Sequence, residues 1–309
     1  MSTITRDAPD APALPARTAS AQRRLNANWL LLVPALTLLT AILLVPLAQS
    51  FLRSITVPVT EGGGFTLDHY AALFTDGVTI TVLIRTATTA AIVTVVAFLL
   101  GYPYAYLMTR VSDRQRAILL VVVLIPFWTS VMARNFAWLT ILQRGGPVQS
   151  VLEFFGLGDI QLVGSQIGVT IAMSQVLLPF MVLPLFSALS GIDRKLLLAA
   201  RGLGSSPLVA FWKIYWPLSR GGVVAGLILV FTLSLGFYVT PALLGSPQQS
   251  LIAQLLATRT TQLLDFAGAG ALGMLVLVIT LVLVAWANRV GGSISAIGVV
   301  ATSGSRSGR

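Results

Sequence analysis

Six long runs of mostly apolar residues, at 29–52, 78–109, 117–143, 166–189, 221–244 and 266–287, constrain this chain more than anything else in it. A bilayer core about 30 Å thick is crossed by about 20 apolar residues of helix, so each run is long enough to span. Within hydrocarbon a spanning run must be helical, because no water is present to satisfy its backbone groups. The expectation is an all-α membrane protein of six transmembrane helices, the second long enough to tilt or to extend past the bilayer. Composition agrees: 10% of residues are charged, against about 25% in soluble domains. Residues 1–28, rich in Ala, Pro and Thr towards their start, read as a disordered tail. Residues 29–289 form the membrane domain, and the Gly- and Ser-rich stretch 290–309 reads as a flexible end. Arg23 and Arg24 before an apolar run have the look of a signal peptide, but the run exceeds a hydrophobic region of about 7–15 residues. An uncleaved first span is expected.

Lys and Arg in short loops are retained in the cytoplasm, and here their distribution is lopsided. Fifteen of the twenty fall in the tails, the loop around Arg110, Arg114 and Arg116, and the loop from Arg194 to Arg220. The alternate loops hold only Arg53, Arg144 and Arg259, while Arg85 and Arg134 lie inside runs. Both termini are therefore expected in the cytoplasm. The opposite side carries Glu61, Asp68, Asp76, Glu153, Asp159 and Asp265.

Several functions are disfavoured by what the sequence lacks. It has no cysteine and one histidine, His69, so no thiolate or imidazole cluster for a metal is expected. The net charge of +10 would suit nucleic acid only if it lay on one soluble face; the basic residues instead sit between apolar runs. No nucleophile, base and orienting group converge inside the runs, so no catalytic residue is assigned. No Asp or Glu lies in any run, which counts against a proton-coupled carrier, since such carriers commonly place carboxylates in their relays. The pattern G-x-x-x-x-G-K-[ST] is absent, so the chain is not expected to hydrolyse ATP itself.

Between the fourth and fifth runs, residues 190–220 read SGIDRKLLLAARGLGSSPLVAFWKIYWPLSR. Asp193 is suited to cap a helix, RKLLLAAR continues it, and Gly202 with Gly204 permits a sharp stop. Ser205 or Ser206 is placed to cap a second helix with Pro207 at its first position, and Pro217 is expected to close it. The loop is therefore a helix–turn–helix. Phe211 with Tyr215, and Trp212 with Trp216, lie one helical turn apart. Those rings suit either a membrane-interface belt or a docking surface, and two capped helices with small residues at the turn favour docking.

This loop resembles the EAA loop of inner-membrane permeases of ABC importers, whose pattern is Glu-Ala-Ala, three residues, Gly, nine residues, then Ile, one residue and Leu-Pro. Ala199, Ala200, Gly204, Ile214 and Pro217 occupy matching places without a gap, while Leu198 stands for the Glu and Trp216 for the Leu. The chain is most similar to the spermidine/putrescine type, through GYPYAYLM at 101–108, PFWTSVMARNFAWLTIL at 126–142, LLPFMVLPLFSAL at 177–189 and GFYVTPALLGSP at 236–247. The resemblance implies that residues 190–220 couple to an ATPase, with Ala199, Ala200, Arg201, Gly204, Phe211, Ile214 and Pro217 as the coupling residues. It also implies a second permease subunit, a dimer of ATP-binding subunits using ATP and magnesium, and an external solute-binding protein. This subunit is expected to bind no cofactor and to contact lipid.

Pathway candidates are Tyr102, Arg134, Asn135, Gln175, Phe237 and Tyr238. Arg134 suits either a pathway or a tie to carbonyls freed by Pro126. Segment 236–241, with Gly, two aromatics and Pro, is expected to unwind or bend the fifth span. The resemblance points to a polycation as solute, whereas two arginines and no carboxylate in the runs suit an anion such as an opine or phosphonate. A standalone channel or carrier is the remaining reading.

Overall fold

The computed structural model describes residues 21–57, 63–158 and 160–303. The expected tail ends, 1–20 and 304–309, lie outside them, as do Glu61 and Asp159. The chain forms two compact units, Met1–Gln49 and Ser50–Arg309. The first contains most of helix α1 (Ala21–Ile55), whose stretch Val33–Ile55 is apolar and long enough to cross a bilayer.

In the second unit a two-stranded antiparallel ribbon, β1 (Thr56–Val57) and β2 (Gly64–Phe65), leads to α2 (Asp68–Thr75) and α3 (Gly77–Met108). There follow α4 (Asp113–Trp128), α5 (Val131–Leu142), α6 (Pro147–Phe154) and α7 (Gln166–Ser190). The loop carries α8 (Arg194–Gly202) and α9 (Pro207–Ala210), which runs through a π turn (Phe211–Tyr215) into α10 (Trp216–Leu235). The chain ends in α11 (Val239–Leu244), α12 (Ile252–Thr261) and α13 (Phe266–Ser303). The last helix runs on past Arg289 to Ser303.

The third expected span is not a single helix. Residues 117–143 fall in α4 and α5, which meet at a bend of 100°, with Thr129 and Ser130 extended between them (ψ 141° and 132°). Pro126 removes a donor in the last turn of α4 and starts the break. Whether this pair crosses or turns back is decided by its neighbours. Gln166 Nε2 donates to Thr89 Oγ1 over 3.0 Å, and farther along, a Cβ on Gly101 would lie 2.8 Å from Met181 Cγ. α3 and α7 therefore run parallel, so the bent pair between them must carry the chain back across. α1, α3, α7, the α9–α10 rod and α13 are each long and apolar enough to cross, so with the bent pair taken as one span the described residues hold up to six candidate crossings.

The fifth span also differs from expectation. It begins at Pro207 and ends at Leu235, and Pro217 does not close the loop helix. The π turn makes room for the ring: Trp216 N–H bonds to Phe211 O, one residue beyond the α-helical partner. Past Leu235 the expected break is present, with Gly236–Tyr238 separating α10 from α11.

The core lies where α3, α7 and α10 meet, around Val93, Ala97, Met108, Met181, Leu185 and Val230. Lipid is as apolar as leucine, so close backbone approach and packing hold such helices together. Polar side chains within the helices bond their own carbonyls: Thr86 to Val82, Thr94 to Ala90 and Ser234 to Val230, at 2.7–2.8 Å. A smaller core at the far end of α3 joins Leu73, Val82, Ile252 and Leu272.

Candidate functional site

The loop between α7 and α10 is capped at each turn. Asp193 Oδ1 accepts from Lys195 N–H at 2.8 Å, which starts α8. That helix stops where Leu203 N–H reaches Ala199 O (3.1 Å) and Ser205 N–H reaches Ala200 O (3.0 Å), with Gly204 in the left-handed region at φ +84°. This is the pattern by which glycine ends a helix. Ser206 Oγ then accepts from Val209 N–H at 3.3 Å, and Pro207 takes the first helical position.

The two faces of the loop differ. Leu203 is 90% exposed, Leu208 69%, Leu198 65% and Trp212 56%, and Ala199 is exposed beside them. Leu198, where the EAA pattern has Glu, makes this part of the surface apolar. The other face is packed. Tyr215 is 4% exposed and Ala210 1%, with Phe211 and Ile214 half-buried. Arg201 lies in α8, and Pro217 just past the π turn.

Aromatic rings tie this packed face to the end of α3. Tyr102 lies edge-on to Phe211 at 6.2 Å and tilted to Trp216 at 5.6 Å, and Tyr106 lies edge-on to Tyr215 at 5.2 Å. Hydroxyls add to this: Tyr102 OH sits 3.1 Å from Ser219 Oγ, and Thr109 Oγ1 3.3 Å from Tyr215 OH. Trp216 thus packs among rings. Edge-to-face pairs contribute about 0.5–1.5 kcal/mol each beyond burial, so loop and α3 should move together. Beside this contact a cavity of about 480 Å³ opens between the ends of α3 and α7 and the loop, lined among others by Arg110, Arg116, Phe186 and Phe211.

The pathway candidates have different local partners. Tyr102 belongs to the ring cluster at the loop. Arg134 Nη2 donates to Pro126 O and, at 3.0 Å, to Thr129 O, while Nε reaches Thr129 Oγ1 at 3.3 Å. The structure therefore shows the tie across the break: the guanidinium satisfies carbonyls that the interrupted helix leaves open. Asn135 is 1% exposed and Nδ2 donates to Val131 O at 2.8 Å, while its Oδ1 has no hydrogen-bond partner among the described residues. Gln175 Oε1 accepts from Trp138 Nε1 at 3.4 Å. Phe237 packs against the main core, and Tyr238, 47% exposed, precedes α11. Arg85 Nη1 donates to Ser250 O at 3.4 Å.

A cluster that the sequence reading did not assemble lies at the end of the bundle away from the loop. Asp76 caps α3, accepting from Val78 N–H (3.0 Å), Thr79 N–H (3.3 Å) and Thr79 Oγ1 (2.6 Å). Asp265 caps α13 through Gly268 N–H at 2.7 Å. Arg259 of α12 holds both, with Nη2 3.3 Å from Asp76 Oδ2 and Nη1 3.8 Å from Asp265 Oδ2. The Thr79 hydroxyl, with the Val78 and Thr79 amides and the Arg259 charge, holds the Asp76 carboxyl below its ordinary value despite partial desolvation. An acid just before each helical run signals a cap in the sequence, but only the fold brings one arginine to both.

Within the second unit, membrane-length helices thus pack around α3, α7 and α10, and a capped loop with an exposed apolar face joins α7 to α10. The chain belongs to the family of binding-protein-dependent transport system inner membrane components, whose model matches residues 97–294. It is 32% identical over 226 residues to the spermidine/putrescine transport system permease protein PotB of Salmonella typhimurium (strain SL1344), covering 72% of this chain and 78% of that protein. Against PotB of Haemophilus influenzae (strain Rd) identity is 30% over 250 residues, covering 78% and 85%. In fold it is similar to a chain of the crystal structure of a bacterial ABC transporter involved in the import of the acidic polysaccharide alginate. That match has a TM-score of 0.69 at 19% identity, over 88% of this chain and 98% of that one.

Proposed function

We propose that this permease subunit serves an ATP-driven importer of polyamines, with spermidine and putrescine as the leading solutes. The observation that carries the reading is the 32% identity over 72% of the chain to a spermidine/putrescine permease. The membrane arginines do not weigh against it, because both direct donors to backbone carbonyls. Charge inside the spans therefore no longer favours an anionic solute.

In this reading the exposed face of α8 and α9 docks on an ATP-binding subunit, one of a pair that uses ATP and magnesium. A second permease subunit completes the pathway, and an external solute-binding protein delivers the solute. The termini and the loop face the cytoplasm, in keeping with the arginine distribution. Movement of the loop on ATP binding passes through the ring cluster to α3 and along the continuous helix into α10, which ends at the break before α11. The break is the gate.

The test is uptake of labelled spermidine and putrescine in cells with and without the gene, with an anionic competitor alongside, and mass spectrometry of the complex purified in mild detergent. Loss of polyamine uptake on deletion, with an ATPase and a second permease co-purifying, is the expected result. Unchanged polyamine uptake with loss of anion uptake would reverse the substrate assignment, and purification of the chain alone would remove the importer.

A further inference from the structure

The cavity beside the loop carries charge that the transport reading does not use. Arg110 sits on one side, its Cζ 4.8 Å from the Tyr106 ring centre and 6.0 Å from that of Tyr215. Its Nη2 donates to Tyr106 OH at 2.7 Å, and among the described residues it forms no ion pair. The residue is exposed, and among the described residues the rest of the guanidinium's five N–H donors are given no protein hydrogen bond. Arg116 stands on the other side, with Nε on Met108 O at 3.2 Å and Cζ 6.0 Å from the Phe186 ring centre. Its one carboxylate, Asp113 at 3.0 Å, has a side chain 94% exposed, and such surface pairs contribute about 0–1 kcal/mol. Among the described residues, no acidic side chain lines the cavity. Two guanidiniums, oriented by aromatic faces and a backbone carbonyl, thus face a space of about 480 Å³ whose remaining walls include Phe186 and Phe211.

We propose that this cavity binds the phosphate of an anionic amphiphile, a phospholipid head group from the adjoining leaflet. Guanidinium forks match phosphate oxygens in pairs, and the apolar walls suit the glycerol and upper acyl chain. The arginine distribution assigns this end of the bundle to the cytoplasmic face, where anionic lipid concentrates cationic pockets' ligands. Because Phe211 and Tyr215 belong to the loop, and Arg110 and Arg116 to the ends of α3 and α4, an occupant holds the loop against the bundle. That regulatory consequence rests on the loop being the coupling element; the binding itself does not.

The full chain, purified in an uncharged detergent, is titrated with short-chain phosphatidylglycerol, short-chain phosphatidylcholine and inorganic phosphate. The readouts are melting temperature and the fluorescence of its tryptophans, one of which, Trp212, lies edge-on to Phe211 at 5.6 Å. Phosphatidylglycerol should raise the melting temperature and phosphatidylcholine should not. Arg110→Gln and Arg116→Gln should each weaken binding by about tenfold or more, and Arg114→Gln, at an exposed residue outside the cavity, should not. Helical circular dichroism identifies a variant that fails to fold, and the other variant then carries the test. A response to inorganic phosphate at equal concentration would support the phosphate site and overturn the lipid as its source. An equal response to phosphatidylcholine, equal weakening by Arg114→Gln, or binding unaffected by either cavity variant would overturn the proposal. Since no ATPase is present, failure here leaves the transport reading untouched.

Discussion

Gly204 is held at φ +84°, and among the described residues other than its chain neighbours nothing lies within 4 Å of where a Cβ would be, so its requirement is conformational and not steric. Gly204→Ala should cost about 1–2 kcal/mol in the turn, lowering solute uptake and ATPase co-purification at unchanged membrane abundance. Gly204→Asn should be milder, since Asn tolerates the left-handed region. Gly202→Ala, at an open helical position without positive φ, is the control; wild-type uptake by Gly204→Ala would remove the turn from the coupling argument. Asp76 sets a different dependence. Its carboxyl is held below the ordinary value, so its contribution to stability is complete above about pH 4 and is lost as the pH falls through the lowered folded value. Between about pH 5 and pH 8 this residue should add no pH dependence to the melting temperature, and Asp76→Asn should flatten the acid limb. Asp76→Ala should cost about 0.5–2 kcal/mol as a lost cap. An unchanged acid limb in Asp76→Asn would show that other carboxylates govern it.

Between elements, glycines set how closely α10 approaches α7. A Cβ on Gly222 would fall 2.4 Å from Ala188 Cβ and 2.8 Å from Pro184 O, atoms with no flexible end to give way. One on Gly226 would meet Met181 Sδ at 2.8 Å, and a methionine side chain can rotate aside. Gly222→Ala should therefore destabilise by about 1–3 kcal/mol and Gly226→Ala by less, while Gly221→Ala, with nothing within 4 Å, should be silent. Thermal melting of the three variants in detergent checks the order. A Gly221→Ala effect as large as that of Gly222→Ala would mean that helix propensity, not packing, was being measured. The G-x-x-x-G spacing is visible in the sequence, but which helix it meets is not.

For the whole molecule, the parallel course of α3 and α7 makes the bent α4–α5 pair one crossing, and the topology follows. Reporter fusions after Gly63, at Gly145 and near Gln248 should lie on the side opposite one near Ser206, with Ser206 in the cytoplasm. A fusion at Gly145 on the same side as Ser206 would turn the pair into a re-entrant loop and overturn the six-crossing fold.

Length and apolarity alone placed the second and fourth spans, because a helix in lipid satisfies its backbone internally and its limits follow from where polar residues resume. The caps at Asp193 and Ser206 and the stop at Gly204 were legible for a similar reason: each acts within a few residues of chain. The bend at Thr129 was not, since Pro126 marks a weak point without saying how far the chain turns; the Arg134 bonds to Pro126 and Thr129 secure it. Pro217 looked like a terminator because proline opposes an α-helix, yet the π turn before it lets the helix continue. The sequence places Arg85 and Arg134 inside apolar runs and Arg259 in a loop, but not the carbonyls and carboxylates they reach, which lie up to 183 residues away in the chain. Local chemistry fixes caps and spans, whereas the pairing of distant charges and the fit of Gly222 against Ala188 exist only once the helices have packed.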